Sequence, residues 1–118
     1  MNAFMIFSGI AAAAHVGFFI LETVIWGSPK ANAIFQVSPA DAETMALFAR
    51  NQGFYNLFLA IGVPVGWILG KPAVVVFACA VMLGAAIVLF ALSPGMLRGA
   101  LIQGLPPVLA LAAWRFNR

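Results

Sequence analysis

HVGFFILETVIW, residues 15–26, is an apolar run that holds the chain's only histidine, His15, and one of its three acids, Glu22. Extended back to about Ala3, the stretch exceeds the roughly 20 residues that carry a helix across a hydrocarbon core. It has no basic n-region and is too long for a signal-peptide h-region, so it reads as a retained span over about 3–26. An ionisable side chain facing lipid costs at least about 2.5 kcal/mol on insertion scales. His15 and Glu22 are therefore expected to face other helices.

The rest of the composition agrees with a membrane location. Of 118 residues, 64% are hydrophobic and only 8% charged, too little polar surface to cover a soluble globule of this size. The length allows a single membrane domain, 1–118, with four spans using most of it. The net charge of +3 comes from Lys30, Arg50, Lys71, Arg98, Arg115 and Arg118, scattered singly near span ends. Such scatter fits topology signals, and no nucleic acid is expected as a partner. Cys79 lies alone in an apolar run and is read as a packing residue.

Helix punctuation divides the chain further. Gly27, Ser28 and Pro29 break the first helix, and 27–37 reads as the longest loop. SPADAE, 38–43, starts a helix with Ser38 as N-cap, Pro39 at the first position, and Asp41 and Glu43 against the positive end of the dipole. That helix is expected to continue to Gly70, with an interfacial start over about 39–44, a span over about 45–69 and a bend at Pro64. GKP (70–72) and SPG (93–95) are tight turns before spans over about 73–92 and 96–114, the last interrupted at Pro106 and Pro107. Short turns force antiparallel neighbours, so the fold class is all-α, an integral membrane four-helix up-down bundle. Gly84, Ala85 and Ala86 suit close helix approach, and Trp26, Trp67 and Trp114 suit interfacial anchoring. Lys71, Arg115 and Arg118 on the side of the termini favour both termini in the cytoplasm.

The polar residues inside these spans are the candidate site. Ser8, His15 and Glu22 recur every seven positions and form one stripe on a helix. RNQGFYN, 50–56, adds Arg50, Asn51, Gln52, Tyr55 and Asn56, with Asn51/Tyr55 and Gln52/Asn56 spaced four apart, and span four contributes Gln103. The plain reading is helix-to-helix hydrogen bonding, at roughly 0.6 kcal/mol per bond. The functional reading is a shared intramembrane polar pocket, favoured at His15 and Glu22 because Ser or Asn would serve as glue without an ionisable group. Glu22 is expected within a hydrogen bond or one water of Arg50, as a structural ion pair, or of Asn51 and Gln52. His15 is expected to contact Asn56, Gln103 or a ligand. One histidine cannot supply the usual metal ligand set, and neither a Ser-His-Asp pattern nor a glycine-rich phosphate loop is present.

HVGFFILETVIW, Phe35, ARNQGFYNLFLAIG (49–62) and QGLPPVLAL (103–111) together resemble small four-span bacterial membrane proteins grouped as the domain of unknown function numbered 1304. The matching positions are His15, Glu22, Asn51, Gln52, Gly53, Tyr55, Asn56 and Gln103, and Leu57 departs from the Gly often found there. The resemblance implies a bacterial inner membrane protein and supplies no reaction or cofactor. The residues themselves point first to a pocket for a small hydrophobic or amphipathic molecule such as a quinone, an isoprenoid or a lipid head-group fragment. Proton transfer is the chemistry a lone His and Glu could run, with either as candidate catalytic group. The rival readings are a non-catalytic accessory subunit of a larger membrane complex, and a small transporter or proton conduit. Expected partners are the lipid bilayer, a small hydrophobic ligand, and further copies of the chain or a larger complex.

Overall fold

The computed structural model describes residues 1–117, and these are helical with short connections and no strands. The first helix, α1 (Ala3–Phe19), begins where the Asn2 side chain accepts a hydrogen bond from the Met5 amide at 2.9 Å, and it runs on into a π-helical turn at Ile20–Val24. Gly27, at φ 87°, then reverses the chain. Two short helices follow, α2 (Pro29–Phe35) and α3 (Pro39–Thr44), each opened by a serine cap and a proline. Three long helices complete the chain: α4 (Ala46–Ile68), α5 (Pro72–Leu92) and, after a single 3-10 turn at Pro94–Met96, α6 (Leu97–Phe116).

Three of these expectations need correcting. Residues 29–35 of the expected loop are the helix α2, because Ser28 caps the Ala31 amide while Pro29 presets the first turn. The expected single helix from Ser38 to Gly70 is divided at Met45, whose backbone (φ −89°, ψ 0°) ends α3 and starts α4. Pro106 and Pro107 do not interrupt α6. The helix carries through them at the cost of intrahelical donors for the carbonyls of Ile102 and Gln103.

The four long helices form a ring in which α1 packs on α4 and α6, and α5 packs on the same two. Gly9 meets Trp67 while Glu22 meets Asn56, so α1 and α4 are antiparallel; Gly66 lies by Val75, and Gly104 by Ala86, so the alternation continues round the ring. Both described termini therefore share one end, where Phe4 packs on Trp114 at 5.2 Å, and α2 and α3 cover the other. The close-packed core, centred on Ala11, Val63, Val75, Cys79, Met82 and Ala110, lies toward the termini. Ala3–Val24, Pro72–Leu92 and Pro94–Phe116 are each long and apolar enough to cross a membrane. The remaining long helix, α4, is not among them, since Arg50, Asn51, Gln52, Tyr55 and Asn56 dilute its first three turns. Length and composition thus support three spans where four were expected.

Helix α6 approaches α5 closely because Gly104 has no side chain: a Cβ there would stand 2.7 Å from that of Ala86. Gly104→Ala is expected to destabilise the bundle by about 1–3 kcal/mol through overpacking. Adding Ala86→Gly should restore most of the loss, as read from thermal unfolding of the variants in detergent.

Candidate functional site

Glu22 sits in the middle of the π-helical turn, whose defining bond runs from the Ile25 amide to the Ile20 carbonyl at 3.0 Å. The widened turn meets α4 at Gly53, where any Cβ would strike the Thr23 hydroxyl and crowd Glu22. On either side of that contact the two elements are bonded. Thr23 Oγ1 donates to the Arg50 carbonyl at 3.1 Å, and Asn56 Nδ2 donates to Glu22 Oε1 at 2.6 Å. Glu22 is only 9% exposed and Asn56 5%, so this short bond is an interior one. The carboxylate keeps one oxygen free of protein donors among the described residues.

That oxygen belongs to a residue bordering a cleft of about 620 Å³ lined from all four long helices and open to the surface past exposed Gln52, Val88 and Leu92. Its polar lining consists of Glu22, Gln52, Asn56 and Gln103; its apolar lining comes largely from α5, through Val81, Val88 and Leu89 among others. Ile34 and Phe35 of α2 border it as well. A second space of about 810 Å³, between α1 and α6, shares Phe18, Ile34, Met96 and Gly99 with the first and has Arg98 in its wall. The α2 end is tied down there by Gln36 Nε2, which donates to the Gly95 carbonyl at 3.1 Å.

Of the residues singled out in the sequence, Glu22, Gln52, Asn56 and Gln103 meet at the cavity, and His15, Asn51 and Tyr55 do not border it. His15 is fully buried, but its Nδ1 donates to the Ala11 carbonyl at 2.9 Å, one turn back on its own helix, and it bonds neither Asn56 nor Gln103. Its Nε2 is buried with no partner among the described residues. Phe18 stands edge-on to the imidazole at 5.3 Å and also borders the cavity. Ser8, at the head of the same stripe, likewise bonds back to its own helix, to the Phe4 carbonyl at 2.7 Å. The expected Glu22–Arg50 ion pair does not form: Arg50 is exposed, and the amide of Asn56 takes its place.

Sequence reasoning missed Thr23, Phe18 and the α2 pair Ile34 and Phe35. Phe18, Thr23 and Phe35 lay in the quoted family pattern without being assigned a role, and Ile34 lay outside it. The tryptophans also divide: Trp26 Nε1 donates to the Ala42 carbonyl at 2.8 Å and so fastens α3 to the end of α1, whereas Trp67 is partly buried against the core.

This arrangement is that of a helical protein of apolar membrane type with a buried carboxylate–amide pair in its interior. A family model described as "Protein of unknown function (DUF1304)" matches residues 9–114, and the chain belongs to that family. No curated protein and no solved structure matches the chain.

The bond between Glu22 and Asn56 makes a graded prediction. Asn56→Ala leaves a buried carboxylate oxygen without its donor and is expected to cost about 1–3 kcal/mol of stability. Glu22→Gln retains an oxygen that accepts from Asn56 and should cost less than about 1 kcal/mol. Thermal unfolding of both variants in the same detergent checks the order.

Proposed function

We propose that the four long helices all span the bilayer of a bacterial inner membrane and that the space between them is a binding chamber for a small amphipathic molecule. The observation that carries this reading is Glu22: a buried carboxylate, held on one side by Asn56, bordering an otherwise largely apolar cavity of about 620 Å³. The size is within the range of small-molecule sites, and a few convergent polar groups in an apolar wall are their usual composition. The chemistry of the polar set selects the ligand. A carboxylate only accepts, while Gln52 and Gln103 both donate and accept, so the fitting head group carries a hydroxyl or amine donor beside a carbonyl or second hydroxyl. Isoprenoid alcohols, quinols and lipid head-group fragments have that character.

Glu22 is also the group that would take up a proton from a bound molecule, which makes an isomerisation-type proton transfer the reaction class compatible with the chamber. His15 supports the chamber through Phe18, and its bond to Ala11 fixes Nδ1 as the protonated nitrogen and leaves Nε2 as an acceptor. A proton conduit is less well supported, because Ser8 and His15 bond to their own helix and not to each other or to Glu22. For orientation, Lys30, Arg50 and Arg98 fall at the α2–α3 end together with the acids Asp41 and Glu43. Lys71 and Arg115 fall at the other end, and Arg118, counted with them, lies outside the described residues. With Arg118 included each end carries three basic residues, so the positive-inside rule, which counts lysine and arginine and not net charge, does not choose between the two orientations.

The test is to extract the protein from its native membranes in mild detergent and identify by mass spectrometry what remains bound. Wild type should carry one amphiphile at near one-to-one ratio. Glu22→Gln, which keeps an acceptor for Asn56 but removes the carboxylate, and Gln103→Leu, which removes a hydrogen-bonding group of the lining, should each lower its occupancy about tenfold. Equal retention in all three, or no bound molecule in any, would remove the binding reading.

A further inference from the structure

The cleft at Glu22 has an open side. At the termini end α4 and α5 are in tight contact, where a Cβ at Gly66 would stand 2.5 Å from the Val75 side chain. One turn along α4, the corresponding distance from Gly62 to Ala78 is 3.9 Å, and a Cβ at Gly84 of α5 would meet nothing within 4 Å. The two helices therefore diverge toward the α2–α3 end, and Val81, Gly84, Ala85 and Val88 line the cleft while remaining exposed.

Depth orders the lining. Glu22 lies four residues inside Trp26, Asn56 six inside Arg50 and Gln103 five inside Arg98, so the polar set stands about 6–9 Å inside those three residues. On α5, Ala85 and Val81 lie eight and twelve residues inside Ser93, about 12 and 18 Å. The apolar wall thus runs deeper than the polar set, and along it the cleft faces what surrounds the bundle. In a bilayer these levels put the hydrogen-bonding groups just beneath the head groups and the open apolar side in hydrocarbon. A molecule that fits both parts has its polar end at Glu22 and Gln103 and an apolar chain that leaves between α4 and α5 toward the bilayer centre.

Charge narrows the polar end. The cleft is bordered by the Glu22 carboxylate and by no lysine or arginine among the described residues; Arg98 borders only the adjoining space between α1 and α6. A phosphate or carboxylate head group would be enclosed there beside an acid and without a cation, whereas a hydroxyl donates to the carboxylate and accepts from Gln103.

We propose that the ligand of this cleft is a long-chain lipid with an uncharged hydroxyl head, which enters sideways from the bilayer through the gap between α4 and α5 and keeps its chain there. This rests on the cleft being a binding chamber among four spans, and adds to it the class of ligand and the route of entry.

Photolabelling of the full chain in phosphatidylcholine nanodiscs tests it, with hexadecanol bearing a mid-chain diazirine as the probe. The label should map to residues 81–88 of α5. Geranylgeraniol and monoolein, both long and uncharged with a hydroxyl head, should displace it at about tenfold lower bilayer concentration than palmitate, geranylgeranyl phosphate or the short dimethylallyl alcohol. Gly84→Phe, whose ring enters open space at the gap, should lower labelling about tenfold. Glu22→Gln should narrow the difference between palmitate and the long alcohols, a change of selectivity that a purely structural role would not produce. If the charged lipids or the short alcohol displace the probe as well as the long alcohols do, or if Gly84→Phe labels as wild type or Glu22→Gln keeps the full selectivity, the inference falls and the chamber stands. Label spread evenly over all the helices and displaced by nothing also overturns the inference, and the chamber falls with it only if the native extract carries no amphiphile.

Discussion

A carboxylate enclosed by apolar helices must be bonded or it destabilises everything around it, and here the bond is a single one, from Asn56 to Glu22. Its consequences spread along both elements. For α1 to bring Glu22 to α4, the helix widens into a π-turn; for α4 to come near enough, position 53 has to be glycine. Thr23 then reaches the Arg50 carbonyl across the same contact. Each of these features is locally unfavourable or neutral: a π-turn strains the ladder, and a glycine in a helix costs about 1 kcal/mol against alanine. Together they make sense only as the support of one buried hydrogen bond.

The bundle is accordingly built in two unlike halves. Toward the termini it is a packed apolar core in which Met82, Val63 and Val75 are fully enclosed. Toward the α2–α3 end the ring opens round the polar group, and the space left is bordered by α2. The short helices are therefore more than connection. Gln36 bonds to Gly95 and Trp26 to Ala42, and these two bonds tie α2 to the α5–α6 turn and α3 to the end of α1, so the segment between the first two long helices is held over the cavity at both of its ends.

Much of this is legible in the sequence, and the failures have identifiable causes. The apolar runs and tight turns mark every long helix, since hydrophobic length and Gly or Pro punctuation are local signals. Ser28–Pro29 and Ser38–Pro39 carry the same signal, a cap followed by proline, yet only one of them reads as a helix start. The acids that follow Ser38 complement a helix N-terminus, whereas the lysine that follows Pro29 opposes one and leaves Gly27 to suggest a break. The π-turn is not legible because nothing local to Ile20–Val24 marks it, and its close contact at Gly53 lies on another helix. His15 and Glu22 are correctly placed on one buried stripe, yet periodicity fixes only the face of a helix and not what a side chain bonds to. An imidazole that can reach the carbonyl one turn back has a partner at no cost in helix approach, and that local option wins.

The run 50–56 shows the same limit from the other side. Its pairs Asn51/Tyr55 and Gln52/Asn56 have identical spacing and invite a reading as one lining, but neighbouring positions on a helix point about 100° apart, so two such pairs offset by one residue cannot both face a single chamber. The structure buries Asn56, leaves Gln52 exposed at the edge of the cavity, and leaves Asn51 and Tyr55 outside it. A stretch polar enough to take α4 out of the class of self-sufficient spans is thus divided between two surfaces, one turned to the carboxylate and one turned away from the protein. The inward half is accounted for by Glu22. The outward half begins beside the exposed Arg50, within the first two turns of α4, where water and head groups supply the partners that a helix surface lacks.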